Sequence, residues 1–118
     1  MRVAVPLYQA KSEFFRTLGH PARIRVLELL SERDHAVHEL LAAIDIEQSN
    51  LSQQLAVLRR ARLVDQHRAS GCVVYRIRVP EVRDLLVVAR RALARTLVDR
   101  DGLQAELAAT STSRPPTP

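Results

Sequence analysis

The segment from about Glu47 to Ala61 constrains the fold most, because it predicts a helix with one apolar and one polar face. Leu51, Leu55 and Leu58 recur at spacings of four and three residues and therefore share one side of that helix. The opposite side carries small and polar side chains and no large apolar residue. Such a helix packs on a core by its leucines and leaves the other face open to solvent or to a ligand.

The surrounding elements are predicted from the same kind of pattern. Apolar spacing and Gly/Pro breaks predict three helices before this one, two strands joined by a turn that contains Ser70 and Gly71, and a last helix opened by Pro80. These are helices at Tyr8–Leu18, at Ala22–Ser31 and near Ala36–Ala43, strands at Leu63–His67 and Val73–Arg78, and a helix with an apolar stripe from Val82 to Leu97. The predicted class is mainly α with a small β-hairpin (α+β).

A chain of 118 residues supports one hydrophobic core. We expect one domain over residues 1–105 and a disordered C-terminal tail over residues 106–118, whose end, ATSTSRPPTP, is rich in Ser, Thr and Pro. No apolar run approaches the roughly 20 residues that span a bilayer, and no secretory signal pattern opens the chain. A single cysteine, Cys72, cannot form an internal disulfide. These features predict a cytoplasmic protein without a membrane partner.

The net charge of +5 is concentrated in one stretch of the chain. Between Arg59 and Arg78 there are six arginines against one acid, Asp65, so this stretch alone carries 6 − 1 = +5. A local basic patch of this kind is typical of a surface that binds phosphates. A general preference for arginine, or an ordinary solvated surface, would explain the charge alone equally well.

The order of these elements indicates function more strongly than the charge does. Two short helices joined by a tight turn, the second with a polar outer face, followed at once by a basic hairpin, form the pattern of a winged helix-turn-helix. Amide and hydroxyl side chains read base edges in the major groove, whereas arginines hold phosphates. The predicted base-reading residues are Gln48, Ser49, Asn50, Ser52, Gln53 and Gln54. The predicted backbone-contacting residues are Arg60, Arg62, Arg68, Arg76 and Arg78.

Three runs of sequence, FFRTLGHPARIRVLELL, SNLSQQLAVLRRARLV and VVYRI, resemble in order the ArsR/SmtB family of bacterial winged-helix repressors. The resemblance covers about Tyr8 to Leu97. It implies a homodimer that binds an inverted-repeat operator in double-stranded DNA and is released by an effector. It also implies N- and C-terminal dimerisation helices, which agrees with more apolar surface on these helices than a small core can cover. The predicted dimerisation residues are Phe14, Phe15, Leu85, Leu86, Ala89, Leu93 and Leu97.

The sequence departs from that family at its metal sites. Metal sensors of the family often carry a Cys-X-Cys pair before the reading helix, where this chain has Ala36 and His38. A second family site uses carboxylate and imidazole ligands on the last helix, where the aligned residues are Val79, Glu81, Ala92 and Arg95. An arginine at a ligand position repels a cation, so neither family site is expected.

Other interpretations stay open at the level of sequence. His35 and His38, one helical turn apart, would suit Ni(II) or Zn(II), although two exposed histidines beside a turn are the simpler explanation. Cys72 is either a redox-sensitive thiol or a small buried strand residue. A winged helix that docks a protein instead of DNA is the alternative function. No enzyme is expected, because no catalytic triad order, phosphate loop or carboxylate pair is present.

Overall fold

A computed structural model describes residues 4–97 and 106–108 of the chain. The chain divides into two compact units, residues 1–83 and residues 84–118. The helices and strands are α1 (Leu7–Leu18), α2 (Pro21–Glu32), β1 (His35–Ala36), α3 (Val37–Ala43), α4 (Gln48–Arg60), β2 (Val64–Ala69), β3 (Cys72–Ile77) and α5 (Glu81–Thr96). The mainly helical fold with a small sheet confirms the predicted fold class.

Helix α2 begins where the Gly19-His20-Pro21 break predicts. Pro21 occupies the first helical turn, where its missing N–H has no intrahelical partner to lose. The Nδ1 atom of His20 accepts a hydrogen bond from the backbone N–H of Ala22 at 3.1 Å and caps the helix. His20 therefore has the structural role that its position before the core helix suggests.

The core of the first unit is built around α2, which packs against α4 and β3. Val26, Leu27 and Leu30 of α2 are completely buried, and the three leucines of α4 pack in the same interior with at most 2% of their surface exposed. Burial of one such side chain contributes about 1.5–3 kcal/mol. The leucine stripe thus fixes which face of α4 is turned away from solvent.

The sheet has three antiparallel strands in the order β1-β3-β2. Strands β2 and β3 form the predicted hairpin, with Val64 opposite Ile77 and Ala69 opposite Cys72. Both turn residues, Ser70 (φ 53) and Gly71 (φ 80), have positive φ, as a two-residue hairpin turn requires. The sequence analysis missed β1, a two-residue strand whose His35 pairs with Tyr75.

Helix α4 ends in a Schellman motif. The N–H of Arg62 donates to the carbonyl of Arg59 at 2.9 Å, and the N–H of Leu63 donates to that of Leu58 at 3.0 Å. Arg62 adopts a left-handed conformation with φ 62, where glycine is the usual residue. This turn leads the chain from α4 directly into the hairpin.

In the second unit, α5 runs on to Thr96 and the described residues 106–108 form a helical turn. The guanidinium of Arg90 donates to the carbonyl of Leu107 at 2.7 Å. The predicted tail begins at residue 106, and its remaining residues, 109–118, lie outside the described residues, so its disorder stays a prediction. Within the described ranges, no helix is long and apolar enough to cross a membrane.

Candidate nucleic-acid interface

Helices α3 and α4, joined by residues 44–47, form the helix-turn-helix, and the outer face of α4 is exposed. Four of its residues, Gln48, Ser49, Ser52 and Gln53, are exposed and make no side-chain hydrogen bond within the described part of the chain. Asn50 is also exposed, in the first turn of the helix. Five of the six predicted base-reading residues are therefore available to a ligand on one helix.

Gln54 is the exception, and its assignment as a base-reading residue is corrected. Only 8% of its surface is exposed. Its Oε1 atom accepts a hydrogen bond from Arg23 Nη1 at 2.7 Å, and its Nε2 atom donates to Asn50 Oδ1 at 2.9 Å. Gln54 lies three residues after Leu51 and four before Leu58, so helical spacing places it at the edge of the buried side. The leucine spacing was the signal that could have identified it.

The basic patch lies at the C-terminal end of α4 and on the turn and hairpin that follow it. None of its arginines forms an ion pair or donates a side-chain hydrogen bond among residues 4–97 and 106–108. All are exposed: Arg59 and Arg60 at the end of α4, Arg62 in the turn, Arg68 in β2, Arg76 in β3 and Arg78 just after it. Arginines without carboxylate partners are available to phosphate oxygens.

An open cleft of about 380 Å³ lies between α4 and β2. Arg59 and Arg60 line it from the helix, and Asp65 and Gln66 line it from the strand. Two cations and an amide face one carboxylate, so the cleft as a whole favours an anion.

The structure places His35 and His38 on different elements, a strand and a helix. Because α3 begins only at Val37, His35 lies in strand β1 and is not one helical turn from His38. His35 is 5% exposed, and its Nδ1 atom lies 2.9 Å from the carbonyl oxygen of Arg33. His38 lies on α3. The expectation of two exposed histidines was wrong for His35, whose ring is buried and lies next to the carbonyl oxygen of Arg33.

The resemblance to metal sensors places a cysteine ligand at position 36, where this chain has an alanine. Ala36 has no ligand atom, and its backbone N–H instead donates to Glu39 Oε1 at 2.8 Å. This hydrogen bond, together with Arg33 at 3.1 Å, holds the pKa of Glu39 below its usual value. Among the residues that the structure describes, no three His, Cys, Asp or Glu side chains lie close enough to hold a metal ion.

Cys72 is exposed at the start of β3, so the expectation that it is a buried strand residue was wrong. His67, in the neighbouring strand, lies 4.0 Å from Asp34 through its Nε2 atom. Among the residues that the structure describes, neither side chain forms a hydrogen bond with the arginines and amides of the interface.

The predicted dimerisation residues fall in both units. In the first unit, Phe14 is half-buried and Phe15 is 55% exposed, and their rings pack edge to face at 5.6 Å. In the second unit, Ala89 and Leu93 are exposed on α5, and Leu85, Leu86 and Leu97 are partly exposed. Each unit therefore presents apolar side chains to solvent in the single chain.

A helix-turn-helix followed by a two-stranded wing defines the class: this is a winged helix-turn-helix protein. Solved structures of the class share the fold. The crystal structure of Mycobacterium tuberculosis Rv0081 matches with a TM-score of 0.72 at 56% identity, covering 82% of this chain and 98% of that chain. The transcriptional repressor BigR of Xylella fastidiosa matches with a TM-score of 0.65 at 30% identity, covering 79% of this chain and 91% of that one.

A solution structure from Mycobacterium bovis, described as a homodimeric winged helix-turn-helix DNA-binding domain, has the same fold. Its TM-score is 0.64 at 24% identity, covering 82% of this chain and 97% of that one.

The sequence comparisons identify the family. The profile described as "Bacterial regulatory protein, arsR family" matches residues 20–66, which span α2 to the middle of β2. The uncharacterised HTH-type transcriptional regulator Rv0081 of Mycobacterium tuberculosis is 54% identical over 105 residues, which is 88% of this chain and 92% of that relative. The chain belongs to the arsR family of bacterial regulatory proteins and is a winged helix-turn-helix transcriptional regulator.

Proposed function

We propose that the protein is a homodimeric repressor that reads an inverted-repeat operator with the exposed face of α4 and holds the flanking phosphates with its wing. The observation that supports this proposal is that one face of α4 exposes amides and hydroxyls and is followed along the chain by exposed arginines. The six arginines of α4, the turn and the hairpin have no carboxylate partner among the described residues. Base edges and phosphates are the two targets that this combination serves.

The amides and hydroxyls of α4 and the arginines have different roles, which follow from their hydrogen-bonding groups. Gln48, Ser49, Ser52 and Gln53 offer both donors and acceptors, which suit base edges in the major groove. The arginines of α4, the following turn and the hairpin are donors only and suit phosphate oxygens. Sequence discrimination therefore comes from the helix, and most of the affinity from the arginines.

A homodimer is supported by the apolar side chains that the single chain leaves exposed. Phe15 in the first unit and Leu93 in the second, which is 44% exposed, are examples. The relative from Mycobacterium bovis is described as homodimeric, and that of Xylella fastidiosa as a repressor. A two-fold dimer presents two copies of α4 and matches the symmetry of an inverted repeat. The site of action is the cytoplasm, where bacterial DNA lies.

Fluorescence anisotropy tests this function. The purified chain is titrated into a labelled duplex from upstream of its own gene and into a shuffled duplex of the same length, in EDTA at fixed salt. We expect tighter binding to the upstream duplex, two chains per duplex by sedimentation, and a steep loss of affinity as salt rises. Equal, salt-independent binding to both duplexes, or no binding to any genomic fragment, would contradict the proposal and favour the protein-docking alternative.

A further inference from the structure

We propose that Arg23 and Gln54 orient the side-chain amide of Asn50 so that its N–H groups point outward, which makes Asn50 a hydrogen-bond donor to DNA. The inference rests on the proposed function and names the chemistry that one residue recognises. Its targets are acceptor atoms, namely the N7 atom of guanine or adenine, guanine O6, thymine O4 or a phosphate oxygen. Gln54 and Arg23 act through Asn50 and are positioning residues.

The three side chains form a continuous chain of hydrogen bonds. Arg23 Nη1 donates to Gln54 Oε1 at 2.7 Å, and Gln54 Nε2 donates to Asn50 Oδ1 at 2.9 Å. Arg23 is itself fixed, because its Nε donates to the carbonyl of Thr17 at 2.6 Å and its Nη2 to that of Arg16 at 3.4 Å. The guanidinium thus ties the end of α1 to the reading helix.

The direction of this chain is set by the donor at its origin. A guanidinium has donors and no acceptor, so Gln54 must turn its oxygen to Arg23. The Gln54 N–H2 group then faces Asn50, which accepts the hydrogen bond with its Oδ1 atom. A reversed Gln54 amide would place N–H groups against the guanidinium, and with 8% of its surface exposed Gln54 has little access to water as a substitute.

Asn50, at the free end of this series of hydrogen bonds, lines a cleft that suits a hydrogen-bond acceptor. Asn50 is exposed and lines an open cleft of about 290 Å³ together with His20, Ala22 and Arg25. Arg25 adds a positive charge to this cleft, although it also pairs with Glu28 at 3.2 Å. The Asn50 oxygen already accepts from Gln54, whereas its N–H2 group has no partner among the described residues.

The decisive variant is Gln54→Glu, which keeps the size of the side chain and its bond to Arg23 but cannot donate to Asn50. The Asn50 amide then turns its N–H2 group to the carboxylate and its oxygen outward. Duplexes selected from a randomised library by the wild-type protein should exclude cytosine at the contacted position, because cytosine alone has no acceptor in the major groove. Gln54→Glu should admit cytosine, whose amino group donates, and should disfavour guanine and thymine, which offer only acceptors in the major groove. Asn50→Ala should remove the preference there and weaken binding about three- to tenfold.

If the acceptor is a phosphate, the variants change no base preference but weaken all sequences about equally. In that case one methylphosphonate in the backbone, which removes the anionic oxygen, should abolish the difference between wild type and Asn50→Ala. Either the base switch or this phosphate-dependent loss supports the proposal.

Gln9→Glu is the control for the added negative charge, because Gln9 is exposed on α1 and lies outside both the reading face of α4 and the hydrogen-bonded series. It should leave the base preference at the Asn50 position as in the wild type. Thermal melting checks that each variant folds. If Gln54→Glu does not fold, Asn50→Asp replaces it: Gln54 can still donate to the new side chain, but no donor remains, so binding should fall below that of Asn50→Ala.

Two failures are distinguishable. If Gln54→Glu and Asn50→Ala both keep the base preference and the DNA affinity of the wild type, the proposed role of Asn50 is wrong, but the proposed regulator function is unaffected. A wild-type protein that selects no duplex at all would overturn the proposed function and this inference with it.

Discussion

Replacing Arg76 by alanine tests the wing through the salt dependence of binding. Arg76 is exposed in β3, and although it lies opposite Asp65 in the strand register, the two form no ion pair. In a dimer the substitution removes two cations. If each neutralises one phosphate, the slope of log K against log salt becomes shallower by about 1.8, since each phosphate contributes about 0.9. Affinity at about 0.1 M salt should then fall about 60-fold, and the two lines should converge near about 1 M.

The assay is an anisotropy titration of the upstream duplex at four or five salt concentrations for wild type and Arg76→Ala. Arg83→Ala is the matched control, because Arg83 donates to the carbonyl of Ser31 near the C-terminal end of α2, away from the hairpin arginines. Its slope should equal that of the wild type. Parallel lines for wild type and Arg76→Ala would refute the assignment of Arg76 to a phosphate.

Three further substitutions test the structure around the interface. Arg23→Ala removes the donor of the buried Gln54 oxygen and should lower the free energy of unfolding by about 2–3 kcal/mol in urea titrations; a change near zero would contradict the network. Arg62→Gly relieves the left-handed backbone at φ 62 and should raise the free energy of unfolding by up to about 1 kcal/mol while weakening DNA binding, and lower stability would contradict this. The N–H of Ala36 helps hold the pKa of Glu39 below its usual value, so this carboxylate stabilises the fold above its unfolded pKa and loses that effect as pH falls through the folded value. Melting temperatures measured from neutral pH down to about pH 3 should therefore fall more steeply for wild type than for Glu39→Gln, and identical curves would refute the contribution.

The helices and the hairpin were predictable because their signals are local. The spacing of the α4 leucines, Pro21 at the start of α2 and the Ser70-Gly71 turn each specify an element within a few residues. Strand β1 was not predictable in this way. It has two residues, and its existence depends on pairing with Tyr75, which lies far along the chain in β3.

The face of α4 that forms the candidate site could be predicted from the sequence. The roles of individual residues could be predicted less well. The exposed positions of α4 and the burial of Gln54 both follow from helical periodicity. The hydrogen bond of Gln54 to a guanidinium 31 residues away in sequence could not be predicted from that spacing. His35 was misjudged for a related reason. Its pairing in the sheet fixes its ring, and sequence spacing alone treats it as the neighbour of His38 on a helix.

The most direct test of the central claim is the ratio of dissociation constants for the shuffled and upstream duplexes, measured for wild type and Gln53→Ala. Gln53 is exposed on α4 and makes no side-chain hydrogen bond among the described residues, so its replacement should leave stability unchanged. If the outer face of α4 reads bases, the substitution should reduce discrimination by about 1–3 kcal/mol for each base that Gln53 recognises through two hydrogen bonds. An unchanged ratio would mean that the bases are read by another surface.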